Sequence, residues 1–121
     1  MRKKIAVFAS GFGSNLQALI DFNTDGDLGG DIVLVFSNDS KAFALKRAKK
    51  YKIRAESIDP LGFTNRQDFE VEILKILKEE KIDLIVLAGY MFLLTPLLID
   101  EYKDRILNIH PALLPSFKGT H

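Results

Sequence analysis

The stretch IAVFASGFGSNLQALI, residues 5–20, is typical of a buried strand, a glycine turn and a helix in immediate succession. Its first five residues form a continuous apolar run, as in a strand that is covered on both faces of a sheet. Gly11 and Gly13 then mark a tight turn, and either Ser14 or Asn15 is a suitable N-cap for the helix. Residues 10–15 are called the glycine loop below.

The same alternation of strand and helix patterns continues along the chain. Predicted strands cover residues 5–9, 32–36, 54–58, 84–88 and 105–109, of which residues 54–58 alternate polar and apolar side chains as an edge strand does. Predicted helices begin at the glycine loop, at about Lys41, at a capping box formed by Thr64 and Gln67, and at the pair Thr95–Pro96. Because strands that alternate with helices require right-handed crossovers, the predicted fold class is a doubly wound, Rossmann-like α/β domain with a mainly parallel sheet and helices on both faces.

The length and composition are those of one globular domain. The 121 residues are 47% hydrophobic and 27% charged, so we predict a single domain over residues 1–121. The net charge of +1 gives no electrostatic reason to expect nucleic acid or a membrane surface as a partner. The lysines and arginine between residues 46 and 52 are accordingly interpreted as a solvated helix face.

The chain has no cysteine and two histidines, His110 and His121. This composition excludes disulfides, thiolate metal ligands and a cysteine nucleophile, and a zinc site of the usual kind is not expected. The apolar run near the N-terminus is too short for a signal peptide, and no stretch is long enough to span a bilayer. We therefore expect a cytoplasmic protein without a metal.

The last predicted strand carries an amide and an imidazole two residues apart. Asn108 and His110 should project to the same side of the sheet, because successive side chains of a strand alternate between its faces. Pro111 disfavours the helical region for His110 and so keeps the pair extended. An imidazole can exchange a proton near neutral pH and an amide can donate to an oxyanion, so the pair suits acyl transfer. A structural histidine at a strand end is the alternative interpretation.

The glycine loop is a candidate anion site, because unpaired N–H groups and the helix dipole both favour a phosphate there. It is not a dinucleotide fingerprint, since Leu16 stands where the third glycine would be, and it lacks the lysine of a Walker loop. A phosphate monoester therefore suits it better than a pyrophosphate, although the glycines could merely permit a tight turn. Ligands of such sheets bind beyond the carboxyl ends of the strands, where residues 10–15, 89–94 and 108–115 should converge.

Four motifs together resemble the phosphoribosylglycinamide formyltransferase family. They are SGFGSNLQALID (10–21), VFSND (35–39), LAGYMFLLTP (87–96) and NIHPALLPSFKG (108–119), and the resemblance covers essentially the whole chain as the family's N-terminal portion. The pattern NxHPxLLPxF is shared with methionyl-tRNA formyltransferase and formyltetrahydrofolate deformylase. The more specific signals are GSNLQALID and VFSN.

The resemblance implies transfer of a formyl group from 10-formyltetrahydrofolate to the amine of glycinamide ribonucleotide in purine biosynthesis. It implies that the phosphate and ribose end of the ribonucleotide binds at Gly13, Ser14 and Asn15. The folate is expected at Arg66, at Met91, Phe92, Leu93 and Leu94, whose backbone would read the pterin, and at Asn108. In this family Asn108 would hydrogen-bond the formyl oxygen, and His110 would stabilise the oxyanion and shuttle a proton. No metal is implied.

The family continues beyond the position of His121 and supplies an aspartate that pairs with the histidine. We therefore expect that this chain is a fragment, with reduced activity on its own, because an imidazolium without a carboxylate partner is less favoured near pH 7. The apolar residues 113–117 would lack a covering and could drive self-association. A non-catalytic phosphate or nucleotide-binding module of the same fold is the alternative function. The cis or trans state of the Leu114–Pro115 bond is open.

Overall fold

Five parallel strands form one sheet in the part of the chain that the computed structural model describes, residues 2–25, 29–90, 92 and 94–109. The strands are β1 (Lys3–Phe8), β2 (Gly30–Ser37), β3 (Arg54–Ser57), β4 (Leu84–Leu87) and β5 (Ile106–Asn108). The α-helices are α1 (Ser14–Asp25), α2 (Phe43–Lys50), α3 (Arg66–Glu79) and α4 (Pro96–Glu101), and a 3₁₀ turn at Pro60–Gly62 precedes α3. The predicted order of strands and helices is confirmed.

The strand order is β3-β2-β1-β4-β5, and every pairing is parallel. The chain moves outward from β1 to β3, returns to the other side of β1 and then continues to β5. This reversal between β1 and β4 is the topological switch point of a doubly wound sheet, beside which ligands bind. The predicted doubly wound fold is confirmed, and β3 lies at the sheet edge as its polar alternation indicated.

Two helices cover each face of the sheet. Alternate side chains of each buried strand point to opposite faces, so every buried strand contributes to both apolar layers. One face packs against α1 and α2 through Ile5, Val7, Ala9, Val35 and Val86. The other packs against α3 and α4 through Ala6, Phe8, Leu34, Phe36 and Ile85. None of the helices among the described residues is long and apolar enough to cross a membrane.

The N-cap residues of two helices, α1 and α3, differ from the predicted ones. Asn65, not Thr64, caps α3, and its side chain accepts from the N–H of Asp68 at 2.9 Å. Both residue types can cap, but the extended backbone at Asn65 selects the later one. Helix α1 begins at Ser14, and the carbonyl of Gly13 accepts from Gln17, so the N-cap position belongs to Gly13.

Thr95 caps α4 and Pro96 is the first helical residue, as predicted. The structure adds a second cap that the sequence did not indicate. Glu70 of α3 is 1% exposed, and its carboxylate accepts from the Thr95 N–H at 2.6 Å, from the Thr95 hydroxyl and from the Leu98 N–H at 3.1 Å. A buried carboxylate therefore satisfies the orphan donors at the start of α4 and joins α3 to α4.

We expect Glu70→Gln to lower the free energy of unfolding by about 2 kcal/mol, because the amide NH₂ would face donors that now bond to a carboxylate oxygen. Urea unfolding followed by circular dichroism measures the change. The matched control is Glu72→Gln on the same helix, where the carboxylate makes an exposed ion pair with Lys75. Equal effects of the two substitutions would contradict the capping role of Glu70.

Candidate functional site

The loops after β1, β2 and β4 are joined by hydrogen bonds at the carboxyl edge of the sheet. The Ser10 N–H donates to the Gly89 carbonyl at 3.4 Å, and the Ser10 hydroxyl donates to Asn38 Oδ1 at 2.8 Å. The Asn15 amide lies against Gly89, where a Cβ on the glycine would meet the Asn15 nitrogen at 3.3 Å. The structure thus brings the glycine loop next to the loop of β4, at the predicted switch point.

The glycine loop has two residues in the left-handed region, Gly11 with φ +65° and Gly13 with φ +80°. Gly11 has open space around the position of a Cβ, whereas a Cβ on Gly13 would lie 2.7 Å from the Cα and Cβ of Ala44. The loop is therefore pressed against α2 at Gly13. Ser14 is exposed and Asn15 half-buried at the start of α1, so the three predicted phosphate ligands, Gly13, Ser14 and Asn15, are consecutive at one helix N-terminus.

These two glycines form a matched pair for mutation. Gly13→Ala combines an unfavourable φ with a steric clash, so we expect it to lower the free energy of unfolding by about 3 kcal/mol. Gly11→Ala has only the unfavourable φ and should cost about 1 kcal/mol. Urea unfolding of both variants tests this difference, and a cost for Gly11→Ala as large as that for Gly13→Ala would refute the close-packing explanation.

Two predicted folate contacts, Arg66 and Phe92, lie together. The Arg66 guanidinium is 4.5 Å from the centre of the Phe92 ring, and that ring meets Phe69 edge-on at 5.3 Å. Phe92 is half-buried against the α3 and α4 layer, as is Leu94. Their side chains therefore contribute to the packing of this layer. Met91 and Leu93 lie outside the described residues.

Tyr90, in the same loop, has a buried hydroxyl with no hydrogen-bond partner among the described residues. Its ring packs edge-on to Phe8 at 5.3 Å. Burial raises the pKa of the Tyr90 hydroxyl, the Glu70 carboxylate adds to the rise, and Arg66 opposes it. The phenol is therefore neutral at physiological pH and can donate one hydrogen bond.

Tyr90→Phe should raise the free energy of unfolding by about 1 kcal/mol at neutral pH, because it removes a buried hydroxyl that none of the described residues satisfies. An unfolded tyrosine ionises above pH about 10, whereas the folded Tyr90 keeps its proton to higher pH. The unfolded state then binds fewer protons than the folded state, so the free energy of unfolding of the wild-type chain falls as pH rises past about 10. Unfolding measured between pH 8 and 11 should show a shallower alkaline decline in the variant, and equal slopes would contradict the assignment.

The end of β5 lies level with the ends of β1 and β4. Leu87 pairs with both Phe8 and Asn108, and the Ile109 N–H donates to the Leu87 carbonyl at 3.1 Å. Ile106 packs with the α3 and α4 layer and Ile109 with the α1 and α2 layer. By alternation Asn108, which is exposed, points to the α3 and α4 side. His110 lies outside the described residues, so its pairing with Asn108 stays a prediction.

Several residues at this edge were not singled out from the sequence. Ser10 and Asn38 connect two loops, and Arg47 contacts the glycine loop from α2, its Nε donating to the Phe12 carbonyl at 2.9 Å. Among the residues that sequence reasoning missed, Glu70 stands out in the sequence as a carboxylate among the apolar positions of α3, although nothing there indicates that it caps α4. A groove of about 420 Å³, with Asn38, Asp39 and Asp59 in its lining, lies beyond β2 and β3. The described residues contain no group of three His, Asp or Glu side chains placed to hold a metal.

The fold described above is that of a Rossmann-like α/β domain, in which ligands bind at the sheet edge where the loops after β1 and β4 meet. Comparison with known proteins specifies its family. The sequence profile described as formyl transferase matches residues 3–121, and the chain belongs to the formyl transferase family.

Individual relatives carry related names. Phosphoribosylglycinamide formyltransferase of Escherichia coli is 39% identical over 117 residues, which are 97% of this chain and 55% of that protein. Trifunctional purine biosynthetic protein adenosine-3 of Drosophila melanogaster is 43% identical over 122 residues, 99% of this chain and 9% of that protein. The crystal structure of glycinamide ribonucleotide transformylase 1 from Geobacillus kaustophilus matches with a TM-score of 0.87 and 42% identity, covering 99% of this chain and 64% of that chain. This chain therefore spans about half the length of the Escherichia coli relative.

Proposed function

We propose that this chain supplies the phosphate loop and the catalytic strand end of an enzyme that transfers a formyl group from 10-formyltetrahydrofolate to the amine of glycinamide ribonucleotide in purine biosynthesis. The observation that carries the proposal is the contact of the glycine loop with the loop after β4, beside the end of β5 where Asn108 lies. Support comes from the 39% identity to the Escherichia coli phosphoribosylglycinamide formyltransferase over 97% of this chain.

The ribonucleotide is assigned to the glycine loop. The backbone N–H groups at the start of α1 and the helix dipole both favour a phosphate monoester, and Gly13, Ser14 and Asn15 form that helix start. The Asn15 side chain extends from this loop to Gly89, next to the proposed folate segment. The amine end of the ribonucleotide would thus lie toward β4 and β5.

The formyl donor is assigned to the segment after β4. Backbone groups of Met91, Phe92, Leu93 and Leu94 would read the pterin, and Asn108 would contact the formyl group. The layer that packs against this segment is apolar, because a continuous chain of ring contacts runs through Phe8, Tyr90, Phe36, Phe69 and Phe92 in that order. An apolar floor with backbone donors and acceptors above it suits a flat heterocycle. Arg66, exposed at the start of α3, would pair with a carboxylate of the folate tail.

The proposed reaction needs no protein nucleophile. The substrate amine nitrogen attacks the formyl carbon, a C–N bond forms, and the carbonyl oxygen becomes an oxyanion that Asn108 stabilises by donating a hydrogen bond. The bond from the formyl carbon to the folate nitrogen then breaks, and His110 carries the proton from the attacking amine to that leaving nitrogen. Positioning both substrates at one edge makes the attack effectively unimolecular.

Formyl transfer should be measured for the 121-residue chain and for the same chain joined to the remaining sequence of the Escherichia coli relative. In the form that is active, Asn108→Ala and His110→Ala should each lower kcat by about 100-fold or more, because each removes stabilisation of the transition state. Lys103→Ala, an exposed substitution just before β5, is the control and should leave kcat unchanged.

The outcomes separate the candidate functions. Transfer that is lost in the Asn108 and His110 variants supports the proposal, and activity in the joined chain alone would show that this chain is an incomplete site. Binding of the ribonucleotide without transfer in either form would favour the phosphate-binding module. The cytoplasmic location and self-association through residues 113–117, which lie outside the described residues, stay predictions.

A further inference from the structure

Helix α2 holds two successive carbonyl groups of the glycine loop. The Ala44 N–H donates to the Gly11 carbonyl at 3.3 Å, and Arg47 Nε donates to the Phe12 carbonyl at 2.9 Å. Gly13 follows directly and lies against Ala44 with no room for a side chain. The carbonyls of Gly11 and Phe12 therefore both point toward α2.

The direction of these carbonyls fixes the direction of the next amides. The N–H of a trans peptide points opposite to its C=O, and the described peptide bonds are all trans. The N–H groups of Phe12 and Gly13 consequently point away from α2, and neither donates to another described residue. Two successive N–H groups on one side, continued by the start of α1, form the concave arrangement that binds anions.

Arg47 is itself held in place by the elements that it joins. Its guanidinium lies 4.6 Å from the centre of the Phe12 ring and 4.9 Å from that of Phe43, and the two rings stack at 5.1 Å. Its Nη1 donates to Gln17 Oε1 of α1 at 3.1 Å. Arg47 therefore bonds at once to the glycine loop and to the helix that the loop begins, a fork geometry that lysine cannot reproduce.

We propose that Arg47 is a positioning residue for phosphate recognition, which holds the Phe12 carbonyl toward α2 and so aims the Gly13 N–H at the phosphate of the substrate. The inference rests on the function proposed above, which supplies a substrate with a phosphate monoester. Arg47 acts through the backbone of the loop and requires no contact with the substrate.

The test compares glycinamide ribonucleotide with its dephosphorylated form, glycinamide riboside, as formyl acceptors in whichever chain form is active. Arg47→Met keeps the unbranched apolar stem and removes the donors. It should raise KM for the ribonucleotide about tenfold, with kcat and KM for 10-formyltetrahydrofolate changed less than about twofold. For the riboside, kcat/KM should be unchanged, because that substrate has no phosphate to bind. Arg47→Lys keeps the charge and one donor, so its KM should be intermediate.

Lys46→Met is the matched control, since it removes the same charge from the neighbouring position, where the ammonium lies 5.9 Å from the Phe43 ring. An equal rise of KM in Lys46→Met would show that net charge alone is responsible and would overturn the proposal. Loss of kcat/KM for both acceptors, or no loss in Arg47→Met, would also overturn it. If Arg47→Met does not fold, as judged by its Tm, the double variant Arg47→Lys with Gln17→Ala takes its place. An unchanged KM for the ribonucleotide in that double variant would overturn the positioning role.

The proposed function is judged separately by the wild-type chain. Transfer by the wild-type chain combined with no selective effect of Arg47 would overturn only the positioning role. Absence of transfer by the wild-type chain to either acceptor, in both chain forms, would overturn the proposed function and the positioning role together.

Discussion

The position of β1 between β2 and β4 is the constraint on which the rest of the structure depends. Hydrogen bonds continue one residue beyond the strand, with the Ala9 N–H donating to the Phe36 carbonyl and the Ala88 N–H donating to the Phe8 carbonyl. The loops after β1, β2 and β4 therefore leave the sheet at one level and can touch. A slip of one residue in either register would exchange side chains between the two apolar layers, so that Phe8 or Phe36 would have to pack against α1 and α2, because side chains alternate between faces. The packing that stabilises the fold therefore also keeps the three loops at the same edge of the sheet.

The glycine loop is held in position by the packing of α2 against the sheet. Gly13 is fixed by its contact with Ala44, and α2 in turn is held by the layer of the sheet that contains Val7 and Val35. Displacement of α2 would therefore shift the loop, and with it the N–H groups of Phe12 and Gly13. A ligand site on a rigid helix start is already organised before the ligand arrives, which lowers the entropy that binding costs.

The sequence alone predicts the fold and the sheet edge at which the candidate site lies. It does not predict the contacts between the residues at that edge. Continuous apolar runs such as residues 84–88 can form only buried strands or short buried helices, and the flanking glycines decide between them. The sequence could not fix the N-cap of α3, because Thr64 and Asn65 are adjacent and both residue types are suitable. The backbone geometry of the structure identifies Asn65 as the N-cap. The pairs Arg47 with Phe12 and Glu70 with Thr95 are 35 and 25 residues apart, and no local pattern in one sequence indicates that a crossover will bring them together.

The contact between Asn15 and Gly89 links the two substrate sites of the proposed reaction. Gly89 has φ +77°, and a Cβ there would meet the Asn15 amide at 3.3 Å, so both the backbone conformation and the neighbouring side chain favour glycine. Asn15 lies in the first turn of the helix assigned to the phosphate, and Gly89 lies in the loop assigned to the folate. A shift of either loop must therefore be accommodated by the other. Because reacting atoms need to approach within about 3.5 Å, this direct contact would let the sheet edge set the distance between the formyl donor and the amine acceptor of the proposed reaction.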